Sequence, residues 1–201
     1  MEITTAMVKE LREATAAGIL DCRKALEASG GDFDKAVDYL REKGLIKAAK
    51  RMDREAKDGK VTAYIHAGGR IGVLVEVNCE TDFVARTTEF QTFVNDIAMQ
   101  IAAMAPKYIR REDIPAAVIA REREILRTQA LEEGKPENVL DRVVDGRLEK
   151  YFKEACLLEQ DFIRDEERTI DELLKEQISK LGENVIIRRF ARFELGESLG
   201  D

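Results

Sequence analysis

The sequence predicts an α+β protein: an N-terminal unit of three short helices, then a core in which about three antiparallel strands are covered by helices. Three observations carry this reading. Apolar residues recur at helical spacing between capping residues and glycines over residues 1–45, and again from Phe90 to Phe152. Two β-rich runs, VTAYIH at 61–66 and RIGVLVEVN at 70–78, flank Gly68-Gly69. A third β-rich run, VIIRRFARF, occupies 185–193.

In order along the chain, Thr4 is a cap for the first helix, with Met7, Val8 and Leu11 on one side. Gly18 breaks the pattern before a second helix that starts at Ile19 and stops at Gly30-Gly31. Asp32 caps a third, whose apolar face is Ala36, Val37 and Leu40, and Gly44 stands where a C′ glycine would end it. Forty-five residues bury little apolar surface, so this unit is marginal unless it docks on something. KAAKRMDREAKDGK (47–60) alternates charge with almost no large apolar side chain, and reads as a solvated helix or connector. Gly68-Gly69 is then expected as a two-residue hairpin turn with Ala67 facing Arg70. That register puts Tyr64, Ile71, Val73, Val75 and Val77 on one face, and Val61, Ala63, Ile65 and Leu74 on the other. Both faces are apolar, so helices or a partner chain must cover both.

Helices follow from Phe90 to Met104, from about Asp113 to Leu131, and from Glu137 to Cys156, interrupted at Pro106 and Gly134-Lys135-Pro136. The run 157–163 is a strand or extended segment. Thr169-Ile170-Asp171-Glu172 is a capping box that opens a helix through Leu181, before Gly182 and the last strand. The expected division is a three-helix domain at 1–45, a charged connector at 46–60, and an α+β core at 61–201.

Composition excludes several functions. Lys and Arg number 33 against 40 Asp and Glu, a net charge of −7, which disfavours bulk nucleic-acid binding. The candidate RNA-binding stripe is Lys47, Lys50, Arg51, Arg54 and Lys57. Asp53, Glu55 and Asp58 dilute it and no aromatic residue is at hand for base stacking, so a solvated face is the better reading. Three cysteines with no C-x-x-C spacing and a single histidine, His66, leave no zinc site. The charged N-terminus is no secretory signal, and the longest charge-free apolar run, Ile97 to Pro106, is far below the roughly 18 residues of a membrane span. A cytoplasmic protein that touches no membrane and carries no metal or cofactor is expected.

Catalysis is not expected either. There is no P-loop, serine elbow or HExxH, and one histidine gives little general-base capacity near neutral pH. Cys79, which with Asp82 would be the makings of an enzyme, directly follows an apolar strand and reads as a buried thiol. His66 reads as a packing or rim residue. One segment stands out, Cys79 to Arg86, where Phe83 sits beside Asp82 at a strand-to-helix turn. Two readings are open: Thr81 or Asp82 caps a helix and Phe83 staples it to the core, or Phe83 is presented to a partner.

Two long motifs, EVNCETDFVAR at 76–86 and LREATAAGILDCRKAL at 11–26, resemble the signatures of bacterial elongation factor Ts, and RFARFELG at 189–196 resembles that family's last strand. The resemblance spans essentially the whole chain. Ala16 departs from it where many members have Gly, and Arg23 where many have Lys. It implies a non-enzymatic guanine-nucleotide exchange factor that binds elongation factor Tu, GDP-bound or nucleotide-free, during translation elongation. The N-terminal unit would be similar to a ubiquitin-associated domain and dock on the partner's G domain through Ile19, Leu20 and Arg23. Thr81, Asp82, Phe83 and Val84 would be the element that dislodges the partner's Mg²⁺. Because the duplicated core half and coiled-coil hairpin of long members are expected to be missing, the chain resembles the short form, and a homodimer that buries the sheet's spare face is expected.

Overall fold

A computed structural model describes residues 3–15 and 17–198. Ala16, one of the two departures noted above, lies outside the described residues. The described chain contains the expected α+β elements, in two compact units each built from several stretches of sequence.

The first unit takes in Met1–Lys60, Asn78–Phe93 and Glu172–Ile186. Its N-terminal part is α1 (Thr5–Thr15), α2 (Ile19–Ala28) and α3 (Phe33–Ala49). Thr4 accepts the Met7 N–H at 3.3 Å and Asp32 accepts that of Lys35 at 3.1 Å, so both expected caps form. Val8, Leu11, Cys22, Ala25, Leu26 and Ala36 make one small buried cluster. The expected stop at Gly44 is corrected, because α3 runs on to Ala49. Gly44 serves close approach instead: a Cβ there would lie 3.2 Å from the Ser179 hydroxyl of α8 (Ile170–Leu181). Arg41 and Glu172 pair across the same two helices at 3.0 Å. The stretch after α3 is also held, since Asn184 donates to the Met52 and Arg54 carbonyls at 3.1 and 2.6 Å.

The second unit takes in Val61–Val77, Val94–Asp171 and Ile187–Asp201. The antiparallel sheet, most of which belongs to it, has the order β1-β2-β5, from β1 (Asp58–Ile65), β2 (Ile71–Cys79) and β5 (Val185–Glu194). The hairpin turn differs from expectation. Gly69 N–H bonds to His66 O and His66 N–H to Ile71 O, both at 2.9 Å, which makes a four-residue connection. Ala67 takes the first central position, which any residue can adopt, and Gly68 the second, with φ of +91°. The faces sort as the alternation predicts. Val73, Val75 and Val77 are buried, whereas Val61, Ile65, Leu74 and Phe193 stand exposed, so this chain leaves the second apolar face uncovered.

Helix α5 (Thr88–Met104) buries Val94, Ile97 and Ile101 within this unit. Helices α6 (Ala116–Glu132) and α7 (Glu137–Ala155) form an antiparallel hairpin tied by Arg123–Asp145 and Arg127–Asp141, each at 2.8 Å. The two helices expected on either side of Gly134-Lys135-Pro136 thus pack as a hairpin, although the resemblance to a short family form left no hairpin expected. Its base is packed by Ile114, Leu148, Phe152 and Cys156. The 157–163 run becomes a 3₁₀ turn and a two-residue strand, β3 (Asp161–Phe162), paired with a strand that sequence reading missed, β4 (Asp165–Thr169). Buried Gln100 holds this ribbon, donating to Gln160 Oε1 and Asp161 O and accepting from Ile163 N–H at 3.0–3.2 Å. No described helix is long and apolar enough to cross a membrane.

The contact at Gly44 yields a stability prediction. A methyl group gains up to about 1 kcal/mol of helix propensity and meets only a rotatable hydroxyl, so Gly44→Ala should change stability by less than about 1 kcal/mol. Gly44→Leu overfills the contact and should cost about 1–3 kcal/mol. Urea titration of both variants checks this; equal stability of Gly44→Leu and the parent would remove the close approach.

Candidate functional site

The turn between β2 and α5 is built by short-range hydrogen bonds. Thr81 is extended, and its Oγ1 accepts the Val84 N–H at 3.4 Å, capping the single helical turn α4 (Asp82–Ala85). Thr87 Oγ1 then accepts the Phe90 N–H at 3.3 Å and starts α5. The cap is therefore Thr81, and Asp82 instead pairs with Arg86 at 2.7 Å on the surface. Phe83 is no staple. It is 79% exposed, and the aromatics that enter the core here are Phe90 and Phe93, both buried. A large ring left in water on an ordered turn is the unusual feature of this region.

Beneath the turn lies a group that sequence reading missed. The Glu183 carboxylate accepts the Glu80 N–H at 3.1 Å, the Thr81 N–H at 3.0 Å and the Thr81 hydroxyl at 2.7 Å. In return, Glu80 Oε1 accepts the Asn184 N–H at 2.6 Å and lies 3.5 Å from Arg54. A Gly-Glu-Asn run after a helix reads as an ordinary loop, and no spacing rule connects it with a turn a hundred residues earlier.

Cys79 has no nucleophile's environment. It is buried, its S–H points to Thr81 O at 3.2 Å, and burial, followed by the charge of Glu183, pushes its pKa up to about 11. His66 is exposed at the hairpin, 3.0 Å from the Tyr64 hydroxyl. Within the basic stretch, Lys47 pairs with Asp21 at 2.9 Å and Lys57 with Glu55 at 2.7 Å, while Arg51 is half-buried. The second expected patch lies on the first turns of α2. Ile19 and Leu20 are exposed there, Leu20 to 73%, and Arg23 pairs with Glu27 at 3.0 Å. Both patches belong to the first compact unit.

A family model described as Elongation factor TS matches residues 2–197. The chain belongs to this family. It is 64% identical over 197 residues to an elongation factor Ts of Thermoanaerobacter sp. (strain X514), covering 98% of this chain and 97% of that one. A relative of the same name from Carboxydothermus hydrogenoformans is 64% identical over 98% of this chain and 91% of its own. Another from Geobacter sulfurreducens is 56% identical over 99% and 92%. Family membership places the chain among the factors of translation elongation.

The raised Cys79 pKa sets a chemical expectation. Its thiolate is scarce near neutral pH and at pH 8, well below that pKa, and burial blocks access as well. At pH 8, iodoacetamide should label Cys79 in the urea-unfolded chain and leave it unlabelled in the folded one. Prompt labelling of folded protein, mapped by peptide mass, would contradict this.

Proposed function

We propose that this chain accelerates GDP release from elongation factor Tu by inserting the Thr81–Val84 turn beside the partner's Mg²⁺ site, while Ile19, Leu20 and Arg23 dock on its G domain. The observation that supports this reading is the exposed Phe83 ring on a hydrogen-bonded turn. Mg²⁺ demands near-octahedral coordination and bridges nucleotide phosphates to the protein that holds them, so disturbing its shell weakens GDP. A wedge need not touch the nucleotide. Phe83 enters a pocket beside the metal, and Asp82 competes for hydrogen bonds that orient the metal's waters. To do so Asp82 must leave Arg86, which is cheap, because exposed ion pairs are worth about 0–1 kcal/mol. The chain catalyses no covalent step. Coupling is reciprocal, so GDP weakens the factor's binding by the ratio in which the factor weakens GDP's.

The uncovered sheet face supports a second part of the reading, a homodimer. Val61, Ile65, Leu74 and Phe193 are exposed together in the second unit, and an isologous pair would bury them. Cytoplasmic action without bound RNA completes the proposal.

Stopped-flow release of fluorescent GDP tests it directly. The chain should speed release from elongation factor Tu by about a hundredfold or more, roughly 2.7 kcal/mol off the barrier. Unchanged release refutes the function, and RNA in the complex recovered from lysate would favour the basic stretch instead. Asp82→Asn, which keeps the shape and removes the charge, should slow release by about threefold to tenfold. A value equal to the parent's would remove Asp82 from the mechanism. Light scattering should give about twice 22.7 kDa at micromolar concentration, and Leu74→Lys should halve it; a persistent monomer contradicts the dimer.

A further inference from the structure

The hydrogen bonds under the Phe83 turn have a direction. The Thr81 hydroxyl has one proton and gives it to Glu183 Oε1 at 2.7 Å, which leaves a lone pair free to accept the Val84 N–H. The other carboxylate oxygen takes the two amides before the turn, those of Glu80 and Thr81. One ionised side chain therefore fixes the rotor of the cap and the two peptide planes that lead into α4. We propose that Glu183 is a positioning residue for nucleotide exchange: it sets the Thr81 cap and thereby the direction in which Phe83 is held. This rests on the reading of Phe83 as the partner-facing group.

The geometry favours a carboxylate over any neutral substitute. Three donors converge on it, and charged acceptors make the stronger hydrogen bonds. Glutamine at this position has one acceptor oxygen and two N–H donors, so it cannot serve all three and turns a donor toward a cluster of donors. Glu183 lies at the start of the α8–β5 connection, and Gly182 before it, with φ of +77°, ends α8. The Asn184 side chain holds the Met52 and Arg54 carbonyls. The chain on the far side of Glu183 is thus anchored at two carbonyls outside the turn, besides the bond from the Asn184 N–H to Glu80 Oε1.

The effect should fall on the exchange step more than on docking, because Ile19, Leu20 and Arg23 do not touch the Glu183 bonds. The test compares Glu183→Gln, Thr81→Val, their double variant and Phe83→Ala by fluorescent-GDP release from elongation factor Tu over a range of factor concentrations. Glu183→Gln should lower the saturating release rate by about tenfold and shift the half-saturating concentration by less than about threefold. Thr81→Val should do likewise, and the double should be no worse than the poorer single, because both break one relay. Amide hydrogen exchange of the free factor should quicken at Thr81 and Val84 in both singles while Ile178 in α8 stays protected, which separates loss of position from loss of fold. A saturating rate within twofold of the parent for Glu183→Gln, beside slow release by Phe83→Ala, overturns this proposal alone. Normal release by Phe83→Ala overturns the wedge and Glu183's part in exchange together. Fully additive losses, or loss of Ile178 protection along with the rate, would make Glu183 a residue of general stability and refute the positioning role.

Discussion

One turn of helix does not hold itself together in water, because its few hydrogen bonds cannot offset the ordering of the residues that make them. Asp82–Ala85 is such a turn, and it carries the most exposed aromatic side chain of the described chain. Burial cannot fix a ring that must stay in solvent. The position of Phe83 therefore depends on hydrogen bonds made by its backbone neighbours, among them those that run through Thr81 to Glu183. The turn's surroundings can be understood as ways of keeping that carboxylate in place. Cys79 beside it is held as a thiol by burial and by the charge of Glu183.

Two groups among the exposed apolar side chains have different consequences. Ile19, Leu20 and Phe83 lie in the first compact unit, on helix-initial turns ordered by backbone hydrogen bonds and, at Phe83, by the Thr81 cap. Val61, Ile65, Leu74 and Phe193 lie in the second and form a broad strand surface that suits a flat, self-complementary contact. Single exposed apolar residues are ordinary, but patches left bare beside well-filled cores usually await partners. A nucleotide-exchange partner and a second copy of the chain would use surfaces of different shape, so the two contacts need not compete.

Much of this was legible in the sequence wherever the information is local. Asp32 before an apolar-periodic run, Thr4 before another, and the alternation of Val73, Val75 and Val77 each dictate structure through contacts a few residues away. The exposed turn was legible as an oddity, Phe83 beside Asp82 after a strand, but its two readings differ only in burial, which one sequence does not encode. Gly44 misled because its purpose is an approach to Ser179, far along the chain, and not the end of a helix. The β3–β4 ribbon was missed because β4 carries charge at Asp165 to Arg168, and the β3 side is held by Gln100 some sixty residues earlier. Glu183 was missed for the same reason. Its role exists only after folding brings it under Thr81.

In the proposed function, Phe83 is held in solvent for a partner and contributes little to folding. The most direct measurement is the rate of GDP release from elongation factor Tu driven by Phe83→Ala at saturating concentration, with a thermal melt of the same sample. Release should be slowed by about tenfold or more with a melting temperature within about 2 °C of the parent, since little buried apolar area is lost. A buried phenylalanine would instead lose about 3–5 kcal/mol of stability. Release at the parental rate, or a melt lowered by many degrees, would contradict it.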